Sequence, residues 1–322
     1  MGETDKVPPG ADHVLVSVNP KAGRRPAARR VDRLVQLLNT HDFQVEIFTD
    51  LAEVSAEANR LHARGQLRAL VGIGGDGTAA ELANRTDEGV PITLLAAGTA
   101  NLFSRHFGLS GKPEKLCQTI TEGRLLRLDA GRAGERLFLV MVGCGFDAHV
   151  VQRVHTHRES SRRGGHIGYS SYVKPILESI RSYGFPEIRV YCDQRRDEAA
   201  DDPPSPITAR WVFGCNLPRY GWGLPLAPEA VATDGLLDLC TFAGGSLLSG
   251  LRYAAAAQLG GWHRRLGDCQ MHRARRFRMT SEEPVAYQLD GDPGGVLPVD
   301  VEVLPLRVTA VVPATGKRID DR

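Results

Sequence analysis

The chain has 322 residues, 42% hydrophobic and 24% charged, ordinary values for two domains or one large one. Its formal charge is +2, which argues neither for nor against a nucleic-acid partner. Six dispersed cysteines form no C-x-x-C pair, and no stretch approaches eighteen uninterrupted apolar residues. A disulfide framework, a zinc ribbon and a transmembrane helix are thereby excluded, and a soluble, cytoplasmic protein with reduced thiols is expected.

In chain order, Val14 to Val18 reads as a strand and is followed by the turn Asn19-Pro20-Lys21-Ala22-Gly23. From Pro26 onward Val31, Leu34, Val35 and Leu38 recur at helical spacing. Phe43 to Phe48 alternates as a strand ending at Thr49, and residues 51–64 have helical composition. The apolar run Ala69-Leu70-Val71 then enters Gly72-Ile73-Gly74-Gly75-Asp76-Gly77, with a helix expected from Thr78. Another strand, Ile92 to Leu95, ends in Ala97-Gly98-Thr99-Ala100-Asn101. Strands alternating with helices predict a parallel sheet covered on both faces. In such sheets ligands bind beyond the carboxyl ends of the strands, and here those ends carry small or polar residues that form one rim.

The glycine run has its own chemistry. Glycine takes positive φ and lacks Cβ, so the turn can present amides to an anion at the positive end of the following helix. A carboxylate inside that cradle, Asp76, suits a phosphate that arrives with a divalent metal.

After Leu128-Asp129-Ala130-Gly131 short apolar runs follow one another: Leu137 to Val142, Ile188 to Tyr191, Ile207 to Gly214, Leu236 to Phe242 and Val299 to Leu304. These predict an antiparallel sandwich with helical insertions near 168–182 and 246–260. Asp193 to Pro206, acidic and proline-rich, reads as an exposed hairpin tip or a disordered loop. Arg307 to Val312 is a candidate for a final strand returning to the first domain. The expected division is 12–128 and 129–304, with 305–315 returning. His149, His155, His157 and His166 fall in a basic, Gly-Ser-rich stretch and are expected to be solvated rather than metal-bound.

Several of these motifs, in this order, resemble the diacylglycerol kinase catalytic-domain family, which includes bacterial diacylglycerol kinases and sphingosine kinases. Gly74-Gly75-Asp76-Gly77-Thr78 resembles the nucleotide signature this family shares with NAD kinases and phosphofructokinases. Asn19 to Gly23 resembles its N-P-x-S-G opening, and Gly98-Thr99-Ala100-Asn101 its G-T-x-N element, although Leu102 stands where the family usually has Asp. Gly143-Cys144-Gly145-Phe146-Asp147-Ala148 resembles a G-x-G-x-D/E-A element, read as a cleft-shaping turn or a structural bulge. Leu226 to Asp238 resembles the A-P-x-A-x-x-D-D-G-x-L-D stretch, with Thr233 in place of the first Asp. Asp290-Gly291-Asp292 matches D-G-E, with Asp for the final Glu.

The resemblance implies an NAD kinase/phosphofructokinase-like α/β nucleotide domain followed by a β-sandwich lipid domain. It implies ATP and Mg²⁺, with Asn19, Thr49, Gly74 to Thr78, Gly98, Thr99 and Asn101 around the nucleotide. Lys21 is either a phosphate ligand or a solvated turn residue. Asp76 would hold Mg²⁺ through water. Asp292 would take the acceptor's proton, and Asp129 is either a cleft residue or a hinge cap. A structural Mg²⁺ would sit on Asp234 and the carbonyls of Val231 and Leu236. The implied reaction transfers the ATP γ-phosphoryl to a lipid hydroxyl, first diacylglycerol, with the headgroup between the domains. A sphingoid base or ceramide is the alternative acceptor, and a catalytically retired nucleotide- or lipid-binding protein the alternative class. The arginines at 264, 265, 273, 275, 276 and 278, with Arg158, Arg162 and Arg163, suggest peripheral contact with an anionic membrane. Trp222 and Leu224 would supply the apolar part. No nucleic acid is expected, and a homodimer is left open.

Overall fold

The computed structural model describes residues 5–18, 25–160, 183–193, 205–221 and 223–314. Asn19 and Lys21 lie outside the described residues, as do Arg162, Arg163, His166, the expected 168–182 insertion, residues 194–204 and Trp222. The side chain of Arg158 is also outside them.

The described chain divides into two units, residues 1–129 with 306–322, and residues 130–305. The first begins β1 (His13–Ser17), α1 (Arg25–Asn39), β2 (Gln44–Phe48), α2 (Leu51–Ala63), β3 (Leu67–Gly74), α3 (Asp76–Arg85) and β4 (Pro91–Ala96). Helices α4 (Leu102–His106) and α5 (Pro113–Glu122) follow, and β5 (Arg124–Ala133) leads out. Its parallel sheet runs β2-β1-β3-β4, as the strand–helix alternation predicts. Helix α1 packs with α5, and α2 with α3. β1 and β3 are apolar almost throughout because both of their faces are covered: Val14, Val16, Val71 and Leu95 share a core with Leu34, Leu38 and Ile120. The carboxyl ends of β3 and β4 therefore open onto the glycine run and onto Gly98 to Asn101.

The second unit contains β6 (Arg136–Phe138), β7 (Met141–Gly145), α6 (Phe146–Ser160), β8 (Ile188–Cys192), β9 (Ile207–Ala209), β10 (Trp211–Cys215) and β11 (Leu237–Phe242). It continues with α7 (Leu247–Gln258), β12 (Cys269–Ala274), β13 (Arg276–Thr280), β14 (Ala286–Leu289), β15 (Asp292–Val296) and the start of β16 (Val299–Val312). One antiparallel sheet runs β12-β11-β10-β7-β14-β15. Against it lie β16, β13, β8 and β9, antiparallel along that path. Val142, Val212 and Leu239 of the first sheet meet Ile188, Phe277 and Val301 of the second in one buried cluster. That is the expected sandwich. Late in β16, Thr309 and Ala310 pair in parallel with Pro91 and Ile92 of β4.

Three expectations are corrected. Leu137 to Val142 is two strands, broken at Leu139-Val140, whose amides donate to the Asp290 carboxylate. Ile207 to Gly214 is likewise broken at Arg210, whose amide donates to Phe242 and whose guanidinium donates to the Phe185 carbonyl. The stretch carrying His149, His155 and His157 is helix α6, not a loop. Its buried side is Phe146, Val150, Val151 and Val154.

Candidate active site

In the first unit, β3 ends at Gly74 and α3 begins at once, at Asp76 rather than Thr78. The amides of Thr78 and Ala79 donate to the Gly75 carbonyl, and Ala97 N–H donates to the Gly74 carbonyl. A Cβ on Gly74 would stand 2.0 Å from Thr78 Oγ1, so only glycine lets the threonine fold back over the turn. A Cβ on Gly98 would come 2.7 Å from the Gly75 Cα. The two loops thus touch backbone to backbone, and Asn101 locks the second: its Oδ1 accepts from Gly98 N–H and its Nδ2 donates to the Gly98 carbonyl.

Asp76 joins the loops from the other side. Its carboxylate accepts from Leu102 N–H at 3.0 Å and Phe103 N–H at 2.8 Å, capping α4. Burial pushes this carboxyl up, and the Phe103 and Leu102 amides pull it back only in part. Gly74 to Thr78 and Gly98 to Asn101 therefore form one half-buried, amide-rich floor, while Thr49 is exposed at the end of the edge strand β2. Asp129 is 1% exposed and accepts from Leu306 N–H at 2.8 Å. That is the geometry of a cap.

The turn proposed for structural Mg²⁺ carries its own cation. Asp234 accepts from Leu236 N–H at 3.0 Å, and its other oxygen is paired with the Arg273 guanidinium. The Val231 carbonyl accepts from Thr233 N–H at 2.8 Å. Among the described residues no cluster of three or more His, Cys, Asp or Glu could hold a metal ion. One arginine-paired carboxylate beside a carbonyl already accepting an amide does not fit a hard cation that wants several oxygen ligands.

In the second unit the hairpin between β14 and β15 carries two acids with different tasks. Asp290 has φ 52°, and its carboxylate accepts from the amides of Leu139 (2.7 Å), Val140 (2.9 Å) and Met141 (2.9 Å). This one side chain ties the tip of the hairpin to the bend before β7. Below it Gln288, fully buried, accepts from Gly291 N–H through Oε1 at 2.7 Å. Gln288 Nε2 donates to Asp147 at 3.1 Å, and the Tyr220 hydroxyl donates to the same carboxyl. Burial pushes the Asp147 carboxyl up to about 7, against the pull of Gln288. Gly143 to Ala148 is thus a strand-to-helix junction whose acid braces the hairpin from beneath.

Asp292, first residue of β15, stands above this support with its side chain 43% exposed. Its Oδ1 lies 3.4 Å from His155 Nε2. Gln288 is a residue the sequence reading missed, and His155, expected to be solvated, is instead only 21% exposed and turned toward Asp292. The apolar spacing of Phe146, Val150 and Val154, four residues apart, is the signal that would have placed His155 on a helix.

The arginine run does not form one face. Arg264 pairs with Glu229, Arg273 with Asp234, Arg276 with Glu302 and Arg278 with Asp300. β12 and β13, which carry the last three, belong to different sheets. No described helix is long and apolar enough to cross a membrane.

Comparison with known proteins follows this geometry. Residues 13–133 match the diacylglycerol kinase catalytic domain, and residues 140–312 match the YegS C-terminal NAD kinase beta sandwich-like domain. The chain belongs to the diacylglycerol kinase family. This lipid kinase family includes a Mycobacterium tuberculosis diacylglycerol kinase, 28% identical over 76% of this chain and 76% of that protein. A Bacillus subtilis diacylglycerol kinase is 23% identical over 94% of this chain and 97% of its own. In fold, the kinase resembles the crystal structure described as a putative diacylglycerol kinase from Bacillus anthracis, with TM-score 0.71 at 18% identity, covering 98% and 99% of the two chains. An Archaeoglobus fulgidus NAD kinase, solved in complex with ATP, has TM-score 0.51 at 11% identity over 95% and 94%.

Proposed function

We propose that this kinase transfers the γ-phosphoryl group of ATP to the free hydroxyl of diacylglycerol, giving phosphatidic acid and ADP. The observation that carries the reading is the Asp290-Gly291-Asp292 hairpin: one acid is bound by three backbone amides and fixes the other, half-exposed, as a base. Phosphoryl transfer asks the protein mainly for positioning and charge neutralisation, with a carboxylate to orient the attacking hydroxyl. Asp292 would accept the hydroxyl proton as the new O–P bond forms and the bond to the ADP leaving group breaks.

The nucleotide would rest on the amide-rich floor of Gly74 to Thr78 and Gly98 to Asn101, with the N-terminus of α3 favouring its phosphates. Mg²⁺ arrives with ATP as part of that substrate. Asp76, both of whose oxygens already accept amides, fits a water-mediated contact with it rather than direct ligation. Asn19, Lys21, Thr49 and Thr99 belong to the same proposed site by resemblance.

The lipid would be met at a bilayer surface. Leu248, Leu251 and Leu259 are 77%, 59% and 70% exposed, and their spacing puts them on one side of α7. Trp262, 61% exposed, follows with Arg265 over its ring. Leucine and tryptophan beside arginine, with no acid between Ala243 and Gly267, suit an anionic interface.

The test is transfer of radiolabelled γ-phosphate from Mg·ATP to diacylglycerol, a sphingoid base and ceramide in mixed micelles. Labelled phosphatidic acid is the expected product. Preference for another lipid alcohol would move the assignment within lipid kinases, and ATP binding without labelling of any lipid would overturn it.

A further inference from the structure

His155 is a neighbour of the hairpin that the family motifs do not supply. Helix α6 packs on β7, β14 and β15, and its buried side fixes the rotation that turns His155 toward Asp292. The imidazole Nε2 is 3.4 Å from Asp292 Oδ1. That nitrogen is buried and has no hydrogen-bond partner among the described residues. A buried polar atom left in this state is a cost to the folded chain. A small side-chain rotation would bring the pair to hydrogen-bond distance and remove that cost.

We infer that His155 is a positioning residue for Asp292. In the tautomer protonated at Nε2 it donates to Oδ1 and holds the carboxylate so that Oδ2 faces the acceptor hydroxyl. The inference rests on reading Asp292 as the proton acceptor. Its reason is physical: Asp292 is one methylene shorter than the glutamate of the family motif and is half-exposed, and a hydrogen bond from His155 to one oxygen restricts the rotation of its carboxylate. The support beneath, Asp290 with Gln288 and Asp147, fixes the backbone of the hairpin, whereas His155 fixes the side chain. Through the step the hydroxyl proton passes to Oδ2 and His155 keeps its own.

Two measurements on the full chain test this. With ¹⁵N-histidine labelling, the parent should show a downfield imidazole N–H assigned to His155 that disappears in Asp292→Ala; its absence from the parent overturns the inference. In the diacylglycerol assay, His155→Ala should lower kcat about 10–100-fold, the scale of a misplaced catalytic group, with KM for ATP within about twofold. Added imidazole should restore most of that rate, His155→Gln should keep more activity than His155→Ala, and His157→Ala should match the parent. An unchanged kcat in His155→Ala, or a loss that imidazole does not relieve, overturns the inference. If His155→Ala does not fold, the glutamine variant and the N–H resonance decide. If the parent phosphorylates no lipid, the kinase reading fails, while the resonance still decides whether the pair exists.

Discussion

The glycine loop of the first unit and the Asp-Gly-Asp hairpin of the second solve one problem in two ways. Each must hold a polar tip rigid at the end of a strand, and each does so with an aspartate whose carboxylate is bound by backbone amides. Asp76 takes the amides of Leu102 and Phe103, and Asp290 those of Leu139, Val140 and Met141. The loop then leaves main-chain groups half-exposed, whereas the hairpin leaves a second side chain, Asp292, half-exposed. The acid most conspicuous in a motif is in both places a structural tie, and the chemistry is left to what it positions.

Removing the ties sharpens this comparison, beginning with the hairpin. Asp290→Ala leaves three amides without their acceptor, and we expect a loss of about 3 kcal/mol or more in urea unfolding. A loss below about 1 kcal/mol would mean water replaces the carboxylate. Asp76→Ala removes a cap with two amides, and we expect about 1–2 kcal/mol by the same measurement together with weaker nucleotide binding. Equal effects at the two positions would erase the distinction in number of bonds on which the comparison rests.

The brace under the hairpin predicts a pH dependence. Asp147 ionises near 3.8 when unfolded and near 7 in the folded chain. As pH rises between these values the unfolded state releases its proton first, so stability falls with pH across that window. Asp147→Asn should flatten this slope, about 1.4 kcal/mol per pH unit at most, in urea titrations between about pH 4 and pH 8. A slope unchanged by the substitution would exclude Asp147 as its source. Arg264→Ala should cost least, about 0.5–1 kcal/mol by thermal unfolding, because its pair with Glu229 is exposed at both ends. A larger cost would mark the pair as a structural hub.

Much of the fold was legible in the residues themselves. The parallel strands read as apolar runs because they are covered on both faces, and Gly74 and Gly98 mark the close approaches at their ends. Helix α5 went unread although Pro113 opens it and Gly123 closes it at φ 60°. What the sequence could not display was partnership at long range. The break at Leu139-Val140 exists because an acceptor some 150 residues later takes its amides. Asp129 and Asp234 look catalytic or metal-binding in their motifs, yet one caps Leu306 and the other faces Arg273. The Gly-Ser-rich residues after Ser160 made the histidine stretch look like a loop, although the valine spacing before it is helical.

The central claim is that Asp292, fixed by Asp290, is the base of the proposed phosphoryl transfer. Its most direct test compares Asp292→Asn with the parent, measuring transfer to diacylglycerol alongside nucleotide affinity by calorimetry. The account predicts a fall in kcat of about 10²–10⁴-fold, the usual worth of a general base, with nucleotide Kd unchanged within about twofold. A variant that phosphorylates diacylglycerol at close to the parental rate would contradict it.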